Sequence, residues 1–256
     1  MTASTTSDNI TNWKNLSYID YFSQFIKSYL AFNAWMRTRY SHLRKDRKII
    51  DTIKEENNEF RRRILNLLSS NDAEGETFKA YVSSLHNHLE RFEVKNNNKK
   101  ISFYDVFIKE NPIKQASSTR NTLNYKVEIS NKVEVSVHDS RGNQKYYLEQ
   151  NKYNFQEILE DEDYQKLSLN QQTEVKNLYF ECNPRKNENI VSSTATGKKM
   201  GQYYFVDDNE LICKAIIEIL YSLRCTLFHG EVLPDKDTNK VYEQAYHILI
   251  MLIQVL

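Results

Sequence analysis

"NELICKAIIEILYSLRCTLFHG", residues 209–230, decides the fold. Leu211, Ile212, Ala215, Ile216, Ile219, Leu220 and Leu223 recur at three- and four-residue steps, the period of a helix that buries one wide face. Asp207, Asp208 or Asn209 is available as its N-cap, and Gly230 is the residue type that ends helices. A short loop, "EVLPDKD", contains Pro234 and leads to a last helix from about Thr238, where Val241, Ala245, Ile248, Leu249 and Leu252 recur. So short a loop predicts an antiparallel helix pair.

Working outward, the same period runs from Tyr18 to about Leu68 without Gly or Pro, which predicts one or two long amphipathic helices. "SSNDAEGET" breaks the pattern and "FKAYVSSLHNHLERF" resumes it. After "KNNNKK" the period changes to two: "LNYKVEIS", "KVEVSVH" and "QKYYLEQ" alternate polar and apolar residues and are separated by turn-like "SNK" and "DSRGN", as in a β-meander. The expected fold is therefore mainly α, a helical bundle with a small α+β insert. Its parts are a flexible tail (1–12), N-terminal helices (13–93), the insert (94–206) and C-terminal helices (207–256).

The chain has 256 residues and a formal charge of +1, so nothing attracts nucleic acid globally and any such contact must come from local clustering. Residues 37–48 supply one cluster: Arg37, Arg39, Arg44, Lys45, Arg47 and Lys48 surround a single acid, Asp46. A solvated helix face, paired with Asp51, Glu55 and Glu56, is the alternative for this stretch. The three cysteines show no ligand-like spacing, the polar N-terminus lacks the pattern of a signal peptide, and the apolar C-terminal stretch is shorter than the ~18 residues of a membrane span. A cytoplasmic protein without membrane association is expected. His86 and His88, two residues apart on a helix, point to opposite sides, and "TATGKK" lacks the upstream glycine and the Ser/Thr of a phosphate loop, so no metal and no cofactor are expected.

Arg224 and His229 in the last turn of the decisive helix both avoid burial unless satisfied. Five residues at 100° each set them about 140° apart, so they are not stacked, but a long arginine stem and a helix loosening at Gly230 allow both heads to approach one phosphate. A helix-end cation favoured by the carbonyl-rich terminus is the structural alternative. Histidine titrates near ~6.5 and can move the proton of a ribose 2′-hydroxyl, while the arginine fork grips phosphate oxygens.

"LRCTLFHG" resembles the R-x4-6-H signature of the HEPN family, small helical domains of prokaryotic defence, toxin and CRISPR systems. The glycine after the histidine, the proline-containing loop and the final helix are similar too, and "YLAFNAWM", residues 29–36, resembles the first helix of many such domains. The resemblance implies a metal-independent RNA endonuclease with Arg224 and His229 as catalytic pair. It also implies a homodimer that doubles the pair in one cleft, and an antitoxin or other defence-system protein as a further partner. Asn33, Cys225 and Glu231 are candidate supporting residues, and Arg37, Arg39, Arg44 and Lys45 candidate RNA contacts. The alternative function is a HEPN-like binding or assembly module acting through its insert.

Overall fold

The computed structural model describes residues 20–256; the expected tail at 1–12 lies outside them. About half of the chain is helical, and small antiparallel sheets complete a mixed α+β architecture. The described residues divide into two compact units, one made of 20–108 and 188–256, the other of 109–187.

In the first unit, α1 (Tyr21–Arg39), α2 (Asp46–Glu55), α3 (Glu59–Ser69) and α4 (Ala73–Arg91) precede α8 (Asn209–Phe228) and α9 (Lys236–Ile253). The one or two long helices expected over 18–68 are three. Asn58 makes the second break. It is 1% exposed, its side-chain oxygen accepts the Arg61 N–H at the start of α3, and its amide donates to the carbonyls of Ile53 and Glu56 at the end of α2. One side chain thus satisfies orphan groups at two helix ends. "SSNDAEGET" does contain a break, but only at residues 70–72, shorter than its composition suggests. Asp72 caps α4 by accepting the Gly75 N–H at 2.7 Å, and a Cβ on Gly75 would stand 2.7 Å from the Ser70 carbonyl, so glycine permits a close approach inside the first turn.

The apolar stripe of α8 is buried as its period requires, and Asp208 is its N-cap, accepting the N–H groups of Glu210 and Leu211. Asp235, joined to Thr238 in a capping box, begins α9. Instead of forming mainly a hairpin with α8, α9 takes α1 and α4 as its principal neighbours, with Tyr242 donating to the Leu223 carbonyl of α8 at 3.0 Å. Phe25, Phe32, Ile53, Leu85, Ile216, Leu223 and Leu249, each at most 3% exposed, share the core that results.

The second unit contains the expected meander and one strand more. Strands β3 (Gln115–Arg120), β4 (Leu123–Ile129), β5 (Val133–Asp139) and β6 (Gln144–Gln150) pair antiparallel in chain order, with Val127 opposite Val135 and Val135 opposite Leu148. Helices α5 (Phe155–Glu160), α6 (Glu162–Gln165) and α7 (Leu169–Glu181) follow, and α7 covers β3 and β4. This unit is narrower than the insert expected at 94–206. The hairpin of β1 (Lys95–Asn96) and β2 (Lys99–Lys100) belongs to the first unit, as does the small sheet of β7 (Val191–Ser192), β8 (Lys198–Met200) and β9 (Tyr203–Phe205). The reason is apolar: Phe103, Val106, Ile108, Ile190, Met200 and Phe205 are buried in the helical core. Among the described residues no helix is long and apolar enough to cross a membrane.

Candidate active site

The end of α8 is built by its glycine. Gly230, at φ 68°, donates to the Leu227 carbonyl and Glu231 to that of Thr226, the two hydrogen bonds of a Schellman terminator. That places His229 at the C-cap, its backbone N–H donating to the Cys225 carbonyl at 2.9 Å and its side chain exposed, with no partner among the described residues. The helix stops at the point where the imidazole meets solvent.

Arg224 lies a little over one turn back. Its guanidinium carbon sits 4.5 Å from the centroid of the Phe228 ring and 5.9 Å from that of Tyr29 on α1, and one of its nitrogens is 3.5 Å from a carboxylate oxygen of Asp46 at the start of α2. Among the described residues its hydrogen bonding is one weak contact to the Cys225 sulfur at 3.9 Å. Of five N–H donors in a planar fork, most are unused there. The side chain is 23% exposed, so this arginine is held by ring faces and a loose ion pair instead of by hydrogen bonds.

Three residues of α1 at four-residue intervals, Tyr29, Asn33 and Arg37, form one stripe facing this region. Tyr29 meets Arg224, and Arg37 donates to the same Asp46 carboxylate that Arg224 approaches. Asn33, between them, is half-buried, and its amide makes no hydrogen bond among the described residues. Cys225 is 8% exposed, and the pKa of the neighbouring Tyr221 hydroxyl is pushed up to about 12, chiefly by burial and then by the Cys225 thiol.

Asp46 is in place because α2 is pinned to α8. Arg47 grips both oxygens of Glu218 at 2.8 and 2.7 Å and also holds Asp51, while Lys54 reaches Glu218 at 3.0 Å. The Arg47 guanidinium lies between the rings of Tyr221 and Phe107, at 4.8 and 5.4 Å. Bonds to Glu218 and Asp51 outweigh burial and raise the pKa of Arg47, so its charge is permanent. Sequence reasoning missed both Asp46 as a partner of Arg224 and Glu218 as the anchor. A signal for Glu218 was present: it is a single charge inside the apolar run "AIIEIL", and a charge on a buried face needs a partner.

The other sequence candidates separate into groups. Glu231 does not assist His229, because its carboxylate accepts the Asn97 N–H at 2.8 Å, in the β1–β2 turn where Asn97 and Asn98 have positive φ. Arg37 and Arg39 are paired with Asp46 and Glu59, whereas Arg44 and Lys45 are exposed and free of ion pairs among the described residues. Arg224 and His229 share a helix end, but no hydrogen bond or ring contact joins their side chains within one chain. Among the described residues no three His, Cys, Asp or Glu side chains converge as a metal site. His86 is 0% exposed inside a box of Phe103, Tyr104, Tyr203 and Phe205, with both ring nitrogens unpartnered among the described residues, and burial lowers its pKa. It is a core residue and not a ligand.

No protein-family model, curated protein or solved structure matches the chain.

Proposed function

We propose that this chain is a metal-independent RNA endonuclease of HEPN type, working as a two-fold homodimer in prokaryotic anti-phage defence or a toxin system. The observation that carries the reading is the open fork of Arg224, held over the Phe228 ring with most donors unused, at the helix end that presents an exposed His229. A guanidinium with spare donors is the group that grips two phosphate oxygens and favours the charge that gathers on them in the transition state. A solvent-facing imidazole beside it is the group that moves a proton.

Cleavage needs two proton transfers. His229 takes the proton of the ribose 2′-hydroxyl, the freed oxygen attacks phosphorus, and the 5′-oxygen leaves with a proton from His229 of the partner subunit. The products are a 2′,3′-cyclic phosphate and a 5′-hydroxyl end. One imidazole cannot conveniently be base and acid at once, which favours a two-fold axis near this helix end. Leu30 on α1 and Phe228 on α8, 53% and 54% exposed, are apolar side chains left uncovered on the two helices that carry the site and suit such a contact. The unpaired Arg44 and Lys45 at the entry to α2 supply backbone contacts to the RNA.

The test is total RNA incubated in EDTA with wild type, Arg224→Ala and His229→Ala. Cutting that survives chelation and falls by roughly 10²- to 10⁴-fold in His229→Ala is expected. Loss of cutting on chelation, or undiminished cutting by His229→Ala, overturns the proposal. RNA binding without cutting by the wild type would favour the alternative, a HEPN-like binding or assembly module.

A further inference from the structure

Beneath Arg224 lies a group that the cleavage scheme does not use. Tyr29 is 3% exposed, and its hydroxyl is buried with no hydrogen-bond partner among the described residues. The polar groups that face it are Arg224, Cys225 and Tyr221 from α8 and Asp46 from α2. Burial above all raises its pKa, partly offset by Arg224, so the group is a neutral hydroxyl that can both accept and donate. Proteins rarely leave such a hydroxyl unpaired in a dry site, and an exception asks for an explanation.

The neighbouring arginine has the complementary shortage. Its fork has N–H groups to spare, one loose ion pair at 3.5 Å to an Asp46 that Arg37 already engages, and one weak contact to sulfur. The guanidinium carbon stands 5.9 Å from the centroid of the Tyr29 ring, so an unused acceptor and unused donors are neighbours, and no hydrogen bond joins them while the fork is paired with Asp46. A phosphate arriving at Arg224 competes with the Asp46 carboxylate for the same donors, and a fork that turns from Asp46 offers its inner edge to α1.

We infer that Tyr29 is a positioning residue of the Arg224 site: its hydroxyl accepts an Arg224 N–H when the fork leaves Asp46 to grip a phosphate. The inference rests on the phosphate-binding role proposed above for Arg224. In the unliganded molecule the hydroxyl is an unrelieved cost, and in the liganded one it is satisfied. Tyr29 therefore favours the phosphate-bound state over the free state, which is the only way a residue remote from the phosphate can raise affinity for it. This differs from a structural role in sign. A structural hydroxyl stabilises the free protein, whereas this one does not.

Tyr29→Phe keeps the ring and removes only the oxygen. Three readouts are compared with wild type: thermal unfolding, cleavage of RNA, and affinity for an all-2′-deoxy oligonucleotide, which carries phosphates but cannot be cut by 2′-hydroxyl attack. Expected are an unchanged or raised melting temperature, slower cleavage, and oligonucleotide binding weaker by roughly three- to ten-fold, the worth of one hydrogen bond. In an Arg224→Ala background the same substitution should cost nothing further, because its effect passes through Arg224. Equal binding by Tyr29→Phe and wild type, an additive loss in the Arg224→Ala background, a lowered melting temperature, or a wild type that does not bind the oligonucleotide overturns the inference. A wild type that binds but does not cut RNA, with Tyr29→Phe binding more weakly, counts against the nuclease reading alone.

Discussion

Helix α8 carries two charged side chains six residues apart whose surroundings are opposite. Glu218, its side chain 9% exposed, is saturated: Arg47 takes both oxygens, Lys54 takes one of them as well, and Asp51 balances the surplus positive charge. Arg224, 23% exposed on the same helix, has a loose ion pair, two ring faces and a weak hydrogen bond to sulfur. A charge buried for the sake of the fold must be compensated within the chain, because nothing else will arrive to do it. A charge kept for a ligand has to be left partly uncompensated. The contrast marks Glu218 as architecture and fits the phosphate-binding role proposed for Arg224, and it can be broken by experiment at several sizes.

The largest difference should appear in the assignment of loss to activity or to stability. Arg224→Ala and His229→Ala are expected to lose cleavage by roughly 10²-fold or more while unfolding within about 1 kcal/mol of wild type, since His229 is exposed and Arg224 has only a loose ion pair and ring contacts to lose. Glu218→Ala should do the reverse. It strands Arg47 and Lys54, the latter 1% exposed, in the interior, at a cost of about 3 to 5 kcal/mol in urea unfolding. Glu218→Ala within 1 kcal/mol of wild type would remove the distinction between the two positions.

What could be read from residue types alone follows the same division. The stripe of α8, its end at Gly230 and the alternation of β4, β5 and β6 are local patterns repeated over many residues, and each appears where the period places it. The second break in 18–68 and the early start of α4 depend on single capping side chains and not on a repeated period. Asn58 ends one helix and starts another with no glycine or proline nearby, and Asp72 turns a stretch that resembles a loop into a helix start. The site divides likewise. Arg224 and His229 stand out by spacing in one segment, but the approach of Asp46 to Arg224 joins residues 178 positions apart and depends on the Arg47–Glu218 contact to set it. The β1–β2 turn that draws Glu231 away from His229 is equally non-local.

A smaller effect tests how the helix end presents His229. Gly230 has φ 68° and open space where a Cβ would stand, so Gly230→Ala meets no clash and pays only for the left-handed backbone, about 1 kcal/mol. Cleavage should fall more than that stability loss explains if the terminator aims the imidazole. The comparison to make is with Gly142→Ala in the second unit, which has φ 85° and the same open surroundings but no part in the site, and which should lose similar stability without loss of cleavage.

The smallest effect concerns a buried histidine that belongs with Glu218 in kind but lacks its compensation. His86 sits among Phe103, Tyr104, Tyr203 and Phe205, with both ring nitrogens unpartnered among the described residues. Burial holds its pKa below the ordinary value near 6.5, with Glu90 opposing the shift and Lys100 adding to it. In the unfolded chain the same imidazole recovers that ordinary value, so between the two pKa values the unfolded state binds more protons than the folded one. Stability is then level above about pH 6.5 and declines as pH falls through that value, until the folded imidazole also takes its proton. His88 is shifted in the same direction, chiefly by burial, and adds to the slope. His86→Phe, which fills an aromatic box with an aromatic ring, should flatten the acid limb of a plot of unfolding free energy against pH between about 6.5 and 5 and leave the plateau at pH 8 in place. An acid limb identical to wild type in His86→Phe would mean that the imidazole finds, on protonation, a partner in the box after all, and the rule that uncompensated burial marks either strain or function would then fail at this residue first.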